Sequence, residues 1–518
     1  MRGILDKVDE LVRTVNLLLS PRRILLLAAL CGGLIILGYM VFCLDIYRDV
    51  ANCYAYYARE WGRGNWLSAP ISFLPPLNIF LGGCLVRLGL EAYAAIILLA
   101  GFFYVMTIFP LYDILRRFTA DKTAAFGCLL YILAPKIIRS AGMGLLEATR
   151  DFFLVLALCL LFKIKDAPRK WLLALLFGGA LGLLSLSRGE GIVFALLLLA
   201  FLPAVLLYRA PRNAAYFFRG PVLLSLIALG GFLLTVSPRL AENWRNTGYP
   251  VLDARSVDLL KKFPGANSLF QDRRDALWPE KVEEPFERAE AYRSYGAVEK
   301  LGKIRKDFIR GAYEVYFLFA VIGLVLLIRR RSWRYEYSVL ILTILLILPV
   351  YFTVMSAYRY YLFTIPLLMV FTLAGMGWAL ELPGRIRLKG FASILLVFML
   401  AAQVINGMTM IFKDPVEHRF GMWLRENRQQ LPGGKTPGPW LIHAEGISEV
   451  VYWAGADKRY EFGQPMEPLS RVDGFHLLVV ESQNDEILIL RARKDLQKIP
   501  HPFEDEYRLF GKIAAVKN

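Results

Sequence analysis

The feature that most constrains this chain is a succession of apolar blocks, each roughly 17–22 residues long. A helix of that length crosses a hydrocarbon core of about 30 Å. Lipid offers the backbone no hydrogen bonds, so a block of this kind pairs its own N–H and C=O groups by folding as a helix. The blocks lie at 24–44, 93–113, 123–135, 148–164, 171–187, 190–208, 221–237, 313–329, 338–355, 360–379 and 391–411, the third being short. They predict a polytopic α-helical membrane protein with about eleven spans. Hydrophobic residues make up 56% of the 518, against about 45–50% in soluble proteins. The excess sits in the blocks, and 412–518 reads as a soluble domain.

Loop charge orients the spans. Arg22 and Arg23, Arg116 and Arg117, Lys163 to Lys170, Arg209 to Arg219, Arg329 to Arg331 and Arg385 to Lys389 all fall on one side if the spans alternate. Loops rich in Lys and Arg resist translocation, so this side is cytoplasmic. Most of the net charge of +17 is accounted for in this way. No basic face or reader motif accompanies it, so nucleic acid is not an expected partner. The expected division is a cytoplasmic amphipathic N-terminus at 1–23, a membrane domain at 24–411 and an outer-face domain at 412–518. Residues 2–20 read as an interfacial helix, and no small-residue cleavage site follows the first apolar block. Outer loops are expected at 45–92 and 238–312, the second ending in an amphipathic stretch from Glu284 to Arg310. In the last domain, Trp440-Leu441-Ile442 and Leu477 to Val480 predict strands. Glu417 to Gln430 and Asp485 to Lys498 predict helical or mixed segments, giving a small α/β layer. The inner membrane of a cell, with the N-terminus cytoplasmic and the C-terminus outside, is the expected location.

The six cysteines lie in the first third without zinc-type spacing and read as small apolar residues. All four histidines lie beyond residue 412, which excludes a catalytic histidine or histidine-bound metal within the membrane.

Three groups at the outer ends of spans have chemical potential. Asp49 stands just beyond the first span, where partial desolvation suits a general base; on position alone the solvated acid or helix cap is the stronger reading. Glu147 and Asp151 share a helix face at the start of the fourth span. They would repel unless Arg150, a divalent metal or a substrate cation offset them; the other reading is an interfacial helix start favoured by the dipole. Lys136, Arg139, Arg188 and Arg359 stand at outer span ends, where the positive-inside bias does not put them. Such cations suit a lipid-linked phosphate, while each alone reads also as a snorkelling side chain or an ion pair, for example Arg188 with Glu190.

With these residues in order, the chain resembles the GT-C superfamily of membrane glycosyltransferases, nearest in pattern to protein O-mannosyltransferases and the lipid A aminoarabinose transferase. The resemblance rests on Asp49 followed by Ala58-Arg59 and Gly64-Asn65-Trp66, then Pro75-Pro76-Leu77, Glu147, Ser187-Arg188-Gly189-Glu190-Gly191 and Asn243 to Pro250. It continues through Arg359-Tyr360 ahead of Pro366 to Trp423-Leu424-Arg425-Glu426-Asn427. It covers most of the chain, and its specificity lies in order and spacing. The family's Asp-Glu pair is Asp49-Val50 here, and Asp45 lies one helical turn earlier as an alternative for the same role.

The resemblance implies transfer of a glycosyl group, by inversion, from a polyprenyl-phosphate sugar to an acceptor hydroxyl on a lipid, protein or glycan. Asp49 and Glu147 are then the expected catalytic acids. Arg359, Arg188, Lys136 and Arg139 are the expected phosphate ligands. Tyr54, Tyr57, Trp66 and Tyr358, with Trp61, are candidate sugar or acceptor contacts, or else an interfacial aromatic belt. No cofactor is demanded; a divalent metal, if used, falls to Glu147 and Asp151. The rival readings are a polyprenyl-linked glycan polymerase or ligase, and a non-enzymatic flippase or transporter. Charges kept at span ends weigh against the last.

Overall fold

The computed structural model describes residues 20–45, 47, 49–64, 75–208, 218–247, 252, 295–353, 356–381, 398, 401–409 and 415–432, and beyond these 441–444, 454, 457–458, 477–481, 496–502 and 507–512. Helices dominate the described residues up to 409. The first, Pro21–Phe42, starts at Ser20, whose side chain accepts from the Arg23 N–H at 3.4 Å; Pro21 supplies a preset φ. Along it Leu26, Leu30, Leu34, Leu37 and Val41 are exposed, whereas Ala28, Ile35 and Tyr39 are buried. An apolar stripe turned outward marks a helix whose surroundings are lipid.

Five described helices are long and apolar enough to cross a membrane, and seven if each of two bent pairs counts as one. The chain is a multi-pass membrane protein. The expected third span stops at Ile132; after a break at Pro135 the helix Pro135–Gly142 turns away by 55°. The expected span 338–355 divides into Tyr335–Leu345 and Leu348–Thr353. Helix Leu223–Thr247 runs through Pro238 for ten residues past the end its apolar block suggests. Loss of apolar character marks where a helix leaves lipid, not where it ends. Glu242 accepts from Arg239 at 3.1 Å on its continuing surface. Of the amphipathic stretch Glu284 to Arg310, the described part is the helix Ala297–Gly311; residues 284–294 lie outside the described residues. This helix meets Glu314–Arg329 at 95°, with Tyr313 at φ 63° in the corner. Of the block 391–411, only 398 and 401–409 are described.

Two pairs of helices approach backbone to backbone through glycine. A Cβ added at Gly178 would lie 1.9 Å from the Ala228 carbonyl, which joins Lys170–Ser187 to Leu223–Thr247. One at Gly323 would lie 2.0 Å from the Phe371 carbonyl, and one at Gly375 2.0 Å from that of Phe319, which joins Glu314–Arg329 to Thr364–Glu381. Where lipid removes the hydrophobic drive between helices, such close approach supplies the dispersion contact. Arg188 directly follows Lys170–Ser187 of the first pair, and Thr364–Glu381 of the second begins five residues after Arg359. At the centre lies Glu147–Ile164, buried over almost its whole length.

In the C-terminal region the helix Val416–Glu426 precedes five short strands: β1 (Leu441–Ala444), β2 (Asp457–Lys458), β3 (Leu477–Glu481), β4 (Leu496–Ile499) and β5 (Tyr507–Lys512). They form one sheet in the order β2-β1-β3-β5-β4, parallel from β2 to β3 and antiparallel thereafter. Phe420, Leu424, Ile442, Leu477 and Leu509 form its core. Within Asp485 to Lys498, residues 496–498 are strand and 485–495 lie outside the described residues.

Candidate active site

Asp49 directly precedes a π-helical turn, Val50–Tyr54. Its Oδ2 lies 2.7 Å from Nη1 of Arg359, which stands in the 3-10 turn Tyr358–Tyr361. The Nε of Arg359 is 3.9 Å from Oε1 of Glu147. That same Oε1 is 2.5 Å from Nη1 of Arg188, whose Nε is 2.5 Å from Oε1 of Glu190. Glu190 in turn accepts from Nη1 of Arg150 at 2.9 Å, and Arg150 pairs with Asp151 at 2.8 Å. Three groups that stand apart in the sequence thus become one chain of charge. It alternates in sign from Asp49 to Asp151 and holds four carboxylates and three guanidiniums.

Exposure is greatest at the Asp49–Arg359 end of this chain, and beyond it only Glu190, at 14%, exceeds a tenth. The side chains of Asp49 and Arg359 are 39% and 21% exposed, Arg188 and Glu147 9% and 1%, and Arg150 0%. Asp49 and Arg359 are thus the two members of the chain most open to solvent. Aromatic rings enclose the cations. Tyr360 lies 4.9 Å from the Arg188 guanidinium and 5.5 Å from that of Arg359, which also has the Tyr47 ring at 5.3 Å. Burial works to lower the pKa of Arg359, but Glu147, Tyr360 and Asp49 overcome it and hold the pKa above its usual value. Arg188 behaves in the same way, with Glu147 and Glu190 as the main opposing charges. Both guanidiniums are therefore fixed charges at any working pH.

The other expected site residues fall elsewhere. Lys136 binds Glu314 at 3.2 Å and the Arg310 carbonyl, over the ring of Tyr313. Arg139 donates to the Asn406 carbonyl at 3.3 Å and to Thr409 at 3.2 Å. These two cations brace Pro135–Gly142 against neighbouring segments, and among the described residues no ion pair ties them to the Asp49–Asp151 chain. Tyr57 is packed in the core, whereas Tyr358 is exposed beside Arg359, under the Arg310 guanidinium at 5.6 Å. Tyr54 ends the π-helical turn, half-buried against the core. Trp61 packs edge-on against Phe80. Trp66 lies outside the described residues. The backbone carbonyl of Asp45 accepts from Tyr93 at 3.4 Å, on the side of the loop facing Cys43.

Glu147 and Asp151 do not fit a metal site. Each already faces a guanidinium, and among the described residues no three His, Cys, Asp or Glu groups converge. Sequence reading missed Tyr47 as a ring on Arg359, and Asn78, which is fully buried and donates to Thr149 at 2.9 Å. Asn78 follows Pro75-Pro76-Leu77; a polar residue at the first turn of an apolar helix was the signal available.

No family model matches the chain, and no curated protein matches it by sequence. Solved structures do match. ArnT from Cupriavidus metallidurans, bound to undecaprenyl phosphate, is similar over 95% of this chain and 98% of its own, with 13% identity and a TM-score of 0.60. The apo oligosaccharyltransferase of Archaeoglobus fulgidus is similar over 91% of this chain and 71% of its own, at 13% identity and a TM-score of 0.51. The same organism's oligosaccharyltransferase AglB, in complex with an inhibitory peptide and a dolichol-phosphate, gives 14% identity, 91% and 70% coverage and a TM-score of 0.51. At such identities the likeness is one of fold, and the fold this chain resembles is that of the GT-C membrane glycosyltransferases.

Proposed function

We propose that this protein is a GT-C glycosyltransferase that takes a sugar from a polyprenyl-phosphate donor and passes it, with inversion, to an acceptor hydroxyl at the outer face of the membrane. The supporting observation is the Asp49–Arg359–Glu147–Arg188 series. It sets an accessible carboxylate beside an accessible guanidinium and backs both with buried charge. ArnT and AglB, which share the fold, are bound to polyprenyl-type phosphates in their structures. The fuller picture places about eleven spans in an inner membrane, with the N-terminus cytoplasmic and 412–518 as an outer α/β domain.

In this reading Asp49 accepts the proton of the acceptor hydroxyl as its oxygen bonds to the anomeric carbon. The bond from that carbon to the phosphate oxygen breaks, and its electron pair leaves with the polyprenyl phosphate. The leaving group gains one negative charge, which Arg359 stabilises at the rim. The donor phosphate competes with Asp49 for Arg359, so donor binding frees the carboxylate to act as base. Arg188 and Glu147 keep Arg359 in place from below. Tyr358, exposed next to Arg359, is the described aromatic best placed to meet the sugar. Lys136 and Arg139 serve this site only if they exchange their present partners for phosphate.

The test uses vesicles carrying the full chain and a panel of polyprenyl-phosphate sugars labelled in the sugar. Label should move to a membrane or periplasmic acceptor with release of polyprenyl phosphate, and Asp49→Asn should abolish both without changing expression or insertion. Near-normal transfer by Asp49→Asn would remove Asp49 as the base. Equal movement of intact donor across the bilayer in both proteins, without label transfer, would make the chain a transporter.

A further inference from the structure

Arg150 is the most deeply buried cation in the site and has no part in the chemistry just described. Its Nε and Nη2 lie 2.9 and 2.8 Å from Oδ1 of Asp151. Its Nη1 donates to Oε1 of Glu190 at 2.9 Å and to the backbone carbonyl of Tyr360 at 3.0 Å. The Phe363 ring lies 5.4 Å from the guanidinium. These partners sit on three segments remote in sequence: the start of Glu147–Ile164, the turn 188–190 and the turn Tyr358–Tyr361. Glu147 lies one helical turn before Arg150. Arg188 lies two residues before Glu190, and Arg359 one residue before Tyr360. Every segment that Arg150 ties down therefore carries a charged group of the candidate site.

We infer that Arg150 is a positioning residue, which sets the aim of Arg188 and Arg359 by clamping Glu190 and the Tyr360 carbonyl onto the helix that bears Glu147. The inference rests on the proposed reading of the site. With no exposed surface, Arg150 touches no substrate. A planar fork of donors fixes the three segments in one geometry, which an ammonium on a flexible stem does not. Ionic groups buried this completely confer little stability over an apolar filling of equal volume. Such a group is explained by the geometry it imposes on its neighbours. The hydrogen bond from Asn78 to Thr149 adds the helix Pro76–Arg87 to the same assembly, one residue from Arg150.

The experiment compares the full-length protein in detergent with Arg150→Lys, Arg150→Met and the double variant Arg150→Met/Asp151→Leu, using undecaprenyl phosphate as the probe. Kd is read by native mass spectrometry and Tm by thermal unfolding. The double variant leaves no lone carboxylate, since Glu190 keeps Arg188, so its Tm should stay near that of the parent. Its Kd should rise at least about ten-fold, and that of Arg150→Lys by a similar factor, because neither holds the three segments. A double variant with parental Kd would show that Arg150 only neutralises Asp151, and would overturn the inference. If the double variant fails to fold, Arg150→Lys decides: parental Kd overturns it, and so does loss of folding in all three. Absence of saturable undecaprenyl phosphate binding by the parent protein would instead sink the proposed function, before Arg150 is at issue.

Discussion

The helix Glu147–Ile164 carries ionic groups at both ends, and the two ends are built differently. At its C-terminal end, the inner one on the loop-charge expectation, Lys163 pairs with Asp113, with 37% and 24% of the side chains exposed, and Arg116 and the Arg117–Asp166 pair lie nearby. At its N-terminal end, the expected outer one, Glu147, Arg150 and Asp151 are all 1% exposed or less. The inner charges sit where water and salt screen them. The outer charges are withdrawn from water and compensated one by one. Desolvating ions is costly, and the cost is tolerated where a fixed arrangement of charge is required. The contrast is between charge left within reach of water and charge withdrawn from it.

The contrast can be broken or sharpened by substitution. The largest effect should come from Asp49→Asn, which removes the proposed base: sugar transfer should fall by about 10³-fold while donor binding persists. Loss of binding along with transfer would make Asp49 a structural acid. Next, Glu147→Gln leaves Arg188 and Arg359 without their shared buried carboxylate, and breaking such an arrangement costs about 3–5 kcal/mol. A shift in Tm no larger than that of an inner-end variant would erase the distinction between the ends. Arg359→Ala should weaken donor binding by about 1.5–3 kcal/mol, the worth of a hydrogen bond to a charged group, with little change for the acceptor. Equal losses for donor and acceptor would take Arg359 out of the phosphate site. The smallest effect should be that of Asp113→Asn at the inner end, within about 1 kcal/mol in stability and with transfer unchanged.

Much of the framework was legible in the sequence. Described helices cover most of the apolar blocks, because block length and the need to pair the backbone leave lipid-embedded segments one option. Asp49, Glu147, Arg188 and Arg359 were legible as groups on one common side of the membrane because alternating spans put them there, with loop charge naming that side the outer one as an expectation. Whether they met was not legible. Lys136 and Arg139 carried the same sequence signal as Arg188 and Arg359. The break at Pro135 and the 55° turn after it place them against Glu314 and Asn406 instead. The passage of Leu223–Thr247 through Pro238 was hidden for a related reason: helix ends depend on local hydrogen bonding, and hydropathy reports only the surroundings.

The sequence by itself determined that the chain crosses the membrane repeatedly, because that follows from local length and apolarity; which helix ends face outward is an expectation from loop charge. Tertiary structure alone decided that Asp49, Arg359, Glu147, Arg188, Glu190, Arg150 and Asp151 form one alternating series. Ion pairing acts over a few ångströms between residues as far apart in the chain as Asp49 and Arg359. The backbone approaches at Gly178, Gly323 and Gly375 likewise join helices remote in the chain, and no window of sequence contains both sides of such a contact.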